Sequence, residues 1–452
     1  MTNISDFDNS GCYSFNKIFR VTIPILLSML VEHIIGMTDT AFLGRVSEVA
    51  LGASALGSVY FLAFFVLGSG FSFGAQILIG RRNGEKNFSS IGPICYASGF
   101  FLTVASILLI MLIISFSDNV MPLMIKSKDI CDATVKYLDY RTYGLFFVFI
   151  TAILRAFYVG IANTKILTYS SVIMVLSNIF LNYALIFGKF GLPCMGIAGA
   201  ALASSIAEAI AMIVYIIYTL KTVDMKKYGF HTISAFTNLE ILKKVFSVSF
   251  WMMLQPFLSI AVWFFFFIAI ERLGERSLAV LNLIRTLSAL PFIIIHACAT
   301  TANSLISNLI GEGKIHLVWK LIWKILACGF AIVVPLLAFF AICPQLVLRI
   351  YTDNTALIAD SINITYVMCI ASFIQIGAFI LFNAVSGTGA VRMTVGIEMT
   401  TLMIYVFFVW LIVIKNHATP AQSWTVEIIY QLISIILCTI YMLSGKWRNN
   451  KL

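Results

Sequence analysis

Apolar runs long enough to cross a bilayer recur along the whole chain, and this feature restricts the fold more than any other. A hydrocarbon core about 30 Å thick needs roughly 20 apolar residues per helical span. Of the 452 residues, 60% are hydrophobic and 11% are charged, whereas soluble domains carry about 25% charged residues. Only helices and closed barrels satisfy the backbone in lipid, and runs of this length exclude barrel strands. The sequence therefore predicts an all-α integral membrane protein in a lipid bilayer.

The apolar runs predict twelve transmembrane helices. Two stretches of mixed charge, 126–136 and 346–359, precede the fourth and tenth spans, and we interpret them as interfacial extensions of those helices. The predicted spans are 21–43, 55–79, 92–116, 138–159, 166–187, 195–220, 245–270, 278–310, 321–343, 363–385, 393–414 and 424–443.

The distribution of Lys and Arg predicts the orientation. With the amino terminus inside and the loops alternating, the inner side holds 19 of the 30 basic residues, Arg155 among them, and the outer side holds 10. Cytoplasmic loops carry such an excess, so we expect a plasma (inner) membrane protein with both termini in the cytoplasm. The same asymmetry accounts for the net charge of +10 without a nucleic-acid partner.

The two halves of the chain resemble each other. LGRVSEVALGASALG, which begins at Leu43, is similar to LGERSLAVLNLIRTLS, which begins at Leu273; LRAFYVGIANTK, from Leu154, is similar to LFNAVSGTGAVR, from Leu381. The offsets of 230 and 227 positions predict six helices duplicated onto six. An even number of spans per repeat gives both halves the same orientation, as parallel repeats. We predict an N-lobe over 1–220, a cytoplasmic linker over 221–240 and a C-lobe over 241–452.

Ionisable residues in the first span are candidates for function, because each costs several kcal/mol if it faces lipid. Glu32 and Asp39 are seven residues apart and share one helix face. Pro24 precedes them and permits a bend, since it removes a backbone hydrogen bond. Burial disfavours the charged form of a carboxylate, so Asp39 can exchange a proton with the bulk or trade it for a cation. The alternative for Asp39 is a structural pair, and for Glu32 it is the tuning of Asp39.

The fifth span supplies matching amides, Asn178 and Asn182, one turn apart on an apolar helix. Counted from the cytoplasmic end, Asn182 and Asp39 both lie about 25 Å deep at 1.5 Å per residue. Asn side chains can hydrogen-bond a carboxylate or coordinate a cation, and the alternative is interhelical hydrogen bonding alone. We therefore expect Asp39, Asn178 and Asn182, with Glu32, to form the coupling site.

Further polar residues within spans are interpreted as lining a cavity. Arg285 cannot lose its charge, so it either repels cationic cargo or pairs with Glu398 or Glu32, and both readings stay open. Glu427, early in the twelfth span, is interpreted as structural. No Walker motif, zinc signature or nucleophile elbow occurs, so we expect neither an enzyme nor a cofactor. The cavity-lining candidates are Glu208, Gln255, Arg285, Gln375, Glu398 and Tyr405.

Four segments of the chain form a recognisable set. They are Pro24 with Asp39-Thr40 and Gly44, the Gly-x-x-Asn-Gly turn from Gly80, RAFYVGIANTK, and Ser177-Asn178-x3-Asn182 followed by FGKFGLPCMGIAGAALA. Together they resemble the multidrug and toxic compound extrusion (MATE) family. The resemblance implies V-shaped six-helix lobes that export amphipathic, often cationic, compounds in exchange for H⁺ or Na⁺. It assigns Asp39, Asn178 and Asn182 to an N-lobe cation site, and it makes Pro24 a bend linked to protonation.

The C-lobe departs from the Na⁺-coupled branch of that family. The branch has carboxylates in the seventh and tenth helices, where this chain has Gln255 (or Ser259) and Gln375. Neutral amides cannot balance the charge of a cation, so H⁺ is favoured as the coupling ion and Na⁺ is the alternative. We therefore expect a monomeric, H⁺-coupled exporter of cationic small molecules that couples through its N-lobe. A lipid-linked precursor flippase of the wider superfamily is a second alternative, which Arg285 supports.

Overall fold

The computed structural model describes residues 8, 11–125, 127–231, 239–416 and 418–449, and within these ranges it contains helices and no strands. A π-helical segment, Val409–Lys415, directly follows the thirteenth helix. The α-helices are α1 (Phe15–Leu43), α2 (Glu48–Gly84), α3 (Ile91–Met124), α4 (Lys128–Arg141), α5 (Gly144–Gly160), α6 (Lys165–Phe187), α7 (Ile197–Thr222), α8 (Leu239–Glu271), α9 (Glu275–Gly311), α10 (Val318–Ile342), α11 (Pro344–Arg349), α12 (Thr355–Gly387), α13 (Val391–Phe408) and α14 (Pro420–Leu443).

The described helices confirm the membrane fold. Eleven of them are long and apolar enough to cross a membrane, and the number is up to twelve if the bent pair α4–α5 is one span. The fourth predicted span was expected to be one helix, and this needs a correction. The helix is interrupted after Arg141, and α4 and α5 meet at an angle of 47°. The corresponding span of the second half, α12, is a single helix.

The helices pack into two compact units, each described here by itself. The N-unit is Leu27–Met253, and the C-unit is Met1–Leu26 together with Leu254–Leu452. The boundaries fall within α1 and within α8, so each of these helices gives its first part to the unit built mainly from the other half of the chain. The division into lobes by sequence order stays a prediction.

In the C-unit, the beginning of the chain packs on α9 and α10. On α1, the Thr22 hydroxyl donates to that of Thr301 at 3.0 Å. Before α1, the Tyr13 hydroxyl donates to Glu312 at 2.5 Å. The Lys324 ammonium donates to the backbone carbonyl of Tyr13 at 2.8 Å. These contacts fasten the first part of α1 to helices more than 250 positions away in the sequence.

In the N-unit, the first part of α8 lies against α2 with almost no space between the backbones. A Cβ atom on Gly70 would lie 2.6 Å from the carbonyl oxygen of Met252, and one on Gly74 would lie 2.5 Å from the Cα of Ser249. Small residues permit this close approach of membrane helices. Glycine is therefore required at positions 70 and 74 of α2, where α8 packs against it.

We expect Gly74→Ala to lower the stability of the protein, because α2 and α8 would have to separate to admit the methyl group. Overpacking of this kind costs about 1–3 kcal/mol, and the melting temperature of the purified variant in detergent measures it. Gly99→Ala on α3 is the matched control, because a Cβ there meets no atom within 4 Å. Alanine is otherwise favoured over glycine in a helix by roughly 0.5–1 kcal/mol. Equal stability of the two variants would contradict the packing described.

Candidate functional site

Asp39 on α1 is hydrogen-bonded to α6 and α7 in the N-unit. The Asn182 Nδ2 atom donates to Asp39 Oδ1 at 2.5 Å, and the Ser204 hydroxyl donates to Oδ2 at 3.1 Å. Asn178 joins the group because its amide nitrogen donates to Ser204 and its oxygen accepts from Asn182, both at 3.1 Å. Both asparagines are fully buried. The predicted similar depth of Asp39 and Asn182 is confirmed by this contact.

Small residues bring α7 close enough to α6 to complete this group. A Cβ atom on Gly199 would lie 2.6 Å from the carbonyl oxygen of Leu185 on α6. The connection between the helices contains Gly188 and Gly196 at φ values of 64° and 55°, where glycine is favoured because it has no Cβ. The sequence GIAGAALASS at the start of α7 therefore places Ser204 beside the asparagine face of α6.

A cavity of about 210 Å³ opens beside Asp39. Its wall is formed by α1, α2, α4, α6 and α7, all within the N-unit. Charged, amide and aromatic side chains line it together with apolar ones. The residues that determine its chemistry are Asp39, Phe61, Tyr137, Arg141, Asn178 and Glu208.

Arg141 and Glu208 form a two-pronged ion pair in the cavity wall. The guanidinium donates to the two carboxylate oxygens at 2.8 and 2.6 Å, and the side chains are 13% and 14% exposed. The Arg141 guanidinium also lies 3.8 Å from the centre of the Phe61 ring. Because the two charges cancel, the ionised form of Asp39 sets the net charge of the cavity.

The break between α4 and α5 makes room for this pair. A Cβ atom on Gly144 would collide with Glu208 Oε2 and with Arg141 Nη1. The Ser205 hydroxyl donates at 2.9 Å to the carbonyl oxygen of Tyr140, one of those left unpaired at the end of α4. Sequence reasoning placed Glu208 among the cavity residues but missed Arg141. The sequence signal that was available is the position of Arg141, three residues before Gly144 at the start of an apolar run.

Glu32 belongs to a separate hydrogen-bonded group. Its Oε1 atom accepts from Arg155 at 2.8 Å, from Ser28 at 2.8 Å and from Ser171 at 2.7 Å. Arg155, counted above with the inner-side basic residues, lies within α5 and is engaged by this pair. Glu32 and Asp39 share a helix but share no hydrogen-bonding partner among the described residues. Joint action of Glu32 with Asp39 stays a prediction.

In the C-unit, Glu398 on α13 supplies a carboxylate to the neutral residues of α8. The Ser259 and Tyr430 hydroxyls donate to Glu398 Oε1 at 2.5 and 2.9 Å. The Gln255 amide donates to Ser259 at 3.5 Å. Beside this group, the Tyr405 hydroxyl donates to Glu427 at 2.8 Å. Three of the predicted cavity-lining residues, Gln255, Glu398 and Tyr405, therefore lie near one another in this unit. Gln375, half-buried on α12, makes no hydrogen bond to Glu398 in the described part of the chain.

The partners suggested for Arg285 are taken by other groups. Glu32 is bonded to Arg155, and Glu398 is bonded to neutral hydroxyls. The guanidinium of Arg285 instead lies 5.9 and 5.8 Å from the ring centres of Trp263 and Phe267. Aromatic faces attract a cation at such distances. Within the C-unit, Arg285 therefore lies against aromatic rings and not against Glu398, and its pairing with Glu32 stays a prediction.

The Asp39 group contains oxygen atoms that could ligate a cation. Asn182 Oδ1 is buried and accepts no hydrogen bond from the described residues, and Asp39, Asn178 and Ser204 carry further oxygens. The two Asp39 oxygens, however, each face an N–H or O–H donor, which suits an ionised carboxylate without a metal. Within the described ranges, no three His, Cys, Asp or Glu side chains lie close enough together to hold a metal ion.

A polytopic helical membrane fold with a buried carboxylate beside a cavity is typical of membrane transporters. The family model MatE matches residues 24–184 and 248–411, one segment in each half. The chain belongs to this MATE transporter family, as the resemblance in the sequence predicted.

Known relatives agree with this assignment. The chain is 24% identical over 448 residues to "Probable multidrug resistance protein NorM" of Thermotoga maritima, covering 95% of this chain and 92% of that one. The protein of the same name from Mannheimia succiniciproducens is 26% identical over 297 residues, but the alignment spans 66% of this chain and 64% of the relative. A structure described as the outward-facing conformation of a multidrug resistance MATE family transporter superimposes with a TM-score of 0.85 at 18% identity, covering 96% of this chain and 95% of that chain.

We expect Glu208→Gln to destabilise the protein, because Arg141 would keep a buried charge without its counterion. Breaking a buried ion pair costs about 3–5 kcal/mol, and chemical unfolding of the purified protein in detergent measures the loss. Glu32→Gln is the matched control, since its pair with Arg155 is more exposed, at 33% and 27%. The control should lose less stability. If Glu32→Gln lost as much stability as Glu208→Gln, the pair in the cavity wall would not contribute more to stability than the more exposed pair.

Proposed function

We propose that this protein is a monomeric H⁺-coupled antiporter that exports amphipathic, cationic small molecules across the plasma membrane, with both termini in the cytoplasm. Membership of the MATE family and the multidrug resistance names of its relatives support export. One observation carries the coupling proposal: Asp39, in the cavity wall, has hydrogen-bond donors but no ion-pair partner among the described residues. The alternative of a lipid-linked cargo depended on Arg285, which lies against the rings of Trp263 and Phe267, so we propose a small-molecule cargo.

The charge of the cavity supports a cationic cargo. Arg141 and Glu208 neutralise each other, so an ionised Asp39 makes the cavity negative and a protonated Asp39 makes it neutral. A cation and a proton therefore compete for one carboxylate. Each ligand then lowers the affinity for the other by the same factor, because the coupling of two binding equilibria is reciprocal. This competition is what an antiporter requires of its binding site.

The size of the cavity limits how much of the cargo it holds. Its volume of about 210 Å³ is smaller than the roughly 300–1,000 Å³ of pockets for drug-sized ligands. We propose that it receives the charged group of the cargo, next to Asp39. Phe61 and Tyr137 in the same wall would contact the apolar part, as aromatic rings also attract cations.

The hydrogen bonds of Asp39 favour H⁺ over Na⁺. A proton needs only one lone pair of the carboxylate, whereas Na⁺ would need the Asn182 amide to turn its N–H away and its oxygen inwards. Protonation weakens the bonds from Asn182 and Ser204, which hold the second part of α1 to α6 and α7. Pro24 lacks a backbone N–H, and we propose that α1 bends there when those bonds weaken.

We expect Asp39→Asn to abolish uptake of a fluorescent cation driven by a pH gradient in proteoliposomes, because the amide cannot bind and release a proton. Asp118→Asn makes the same chemical change at an exposed position of α3 and is the matched control. The control should transport like the unmodified protein. Transport by Asp39→Asn at the control rate would refute the coupling role, and transport driven by a Na⁺ gradient alone would identify Na⁺ as the coupling ion.

The competition also predicts how binding depends on pH. In the unmodified protein, the affinity for a cationic cargo should fall as the solution is made more acidic, because a proton replaces the cargo at Asp39. In Asp39→Asn the affinity should be weaker and should vary little with pH. Titration calorimetry on the detergent-solubilised proteins separates these cases. An equal pH dependence in both would place the titrating group elsewhere.

A further inference from the structure

The carboxylates within the spans differ in whether they have a cationic partner. Glu32 and Glu208 each pair with an arginine. Glu398 and Glu427 in the C-unit, like Asp39 in the N-unit, form no ion pair with any described residue. An unpaired charge inside a membrane costs several kcal/mol or more. A carboxylate that is kept there without a counterion must bind a proton or a cation for at least part of its working cycle.

Glu398 is the more deeply buried of the two, with 2% of its surface exposed. Its Oε1 atom receives hydrogen bonds from Ser259 on α8 and from Tyr430 on α14. The Ser259 hydroxyl also lies 3.0 Å from the carbonyl oxygen of Gln255. When Glu398 is ionised, Ser259 donates to it. When Glu398 carries a proton, that proton can be donated to Ser259, while Ser259 donates to Gln255. The same heavy-atom positions therefore satisfy both protonation states.

Glu427 lies seven residues after the start of α14, about 10 Å into that helix. Its bond to Tyr405 and the contact of the Tyr405 and Tyr430 rings, with centres 5.7 Å apart, link it to the Glu398 group. Four residues further along α14, on the same face, Gln431 is 3% exposed and its buried Oε1 accepts no hydrogen bond from the described residues. This buried acceptor can receive a hydrogen bond from a donor on this face.

The groups that face this cluster are neutral or acidic. Those from three packed elements are Gln255 and Ser259 on α8, Tyr405 on α13, and Glu427, Tyr430 and Cys438 on α14. The hydroxyls adjacent to Glu398 and Glu427 point their donors at the carboxylates. These bonds all reach the Oε1 atoms of Glu398 and Glu427, and a proton can be accepted without displacing them.

We propose that the C-unit contains its own proton-binding site, with Glu398 as the proton acceptor and Ser259 and Tyr430 as its positioning groups. Glu427 and Tyr405 lie between Glu398 and the start of α14. The proposal rests on the proposed antiport function for its role in transport. In this site α13 supplies the carboxylate, whereas α8 and α12 have the neutral residues Gln255 and Gln375. Coupling would then not be confined to Asp39.

Infrared difference spectra of the full-length protein in lipid nanodiscs, between alkaline and acidic buffer, test the proposal without using transport. The unmodified protein should show C=O bands of carboxylic acids that form on acidification. Glu398→Gln should lose one of these bands, and Glu271→Gln, the same change at the exposed end of α8, should lose none. Tyr430→Phe keeps the carboxyl and should shift the frequency of the Glu398 band, because one hydrogen bond to it is gone.

The outcomes are distinct from those of the Asp39 experiments. Spectra of Glu398→Gln and Tyr430→Phe that both equal the unmodified spectrum would overturn the proposal, even if Asp39 couples transport. A Na⁺-dependent rise in melting temperature that Glu398→Gln alone removes, without a carboxylic acid band, would overturn it in favour of a metal cation. If Glu398→Gln does not fold, the shift in Tyr430→Phe decides, and an unshifted band would refute the assignment.

Discussion

A charge inside the hydrocarbon of a membrane has to be neutralised, and the polar interior of this protein follows from that requirement. Arginine neutralises Glu208 and Glu32, and the resulting pairs connect α4 to α7 and α5 to α1. Asp39 and Glu398 are surrounded by neutral donors instead. Paired carboxylates hold helices together wherever both partners are charged, whereas the state of an unpaired one depends on a proton. The presence or absence of an arginine therefore separates the carboxylates that join helices from those that we propose to bind a proton.

The helix α1 carries one carboxylate of each kind. Glu32 is fixed to α5 and α6 through Arg155 and Ser171. Asp39, two turns further along, is held only by bonds that protonation weakens. The proposed change at Asp39 therefore acts against a fixed point on the same helix. We propose that Glu32 acts by positioning α1 without touching Asp39, and its predicted part in coupling stays a prediction.

Periodicity and depth were sufficient to predict the spans and the meeting of Asp39 with Asn182, because both follow from counting residues along straight helices. Contacts that depend on which helices are neighbours were not predictable in this way. Arg141 lies at the end of a polar helix that resembles an interfacial extension, and only the packing of α4 against α7 reveals its partner Glu208. Glu398 was expected to line a cavity, but its bond to Ser259 depends on α13 approaching α8. The amides Gln255 on α8 and Gln375 on α12 therefore suggested that coupling resides in the N-lobe.

The continuity of α1 and α8 gives proton binding a mechanical consequence. The boundary between the compact units crosses α1 after Leu26 and α8 after Met253, and Pro24 and Pro256 lie within three residues of these points. Each proline removes a backbone hydrogen bond and makes a bend less costly there. Beyond the boundary, α1 carries Asp39 and α8 carries Ser259, the partner of Glu398. A proton bound at either proposed site would therefore act on a helix that contributes residues to both units.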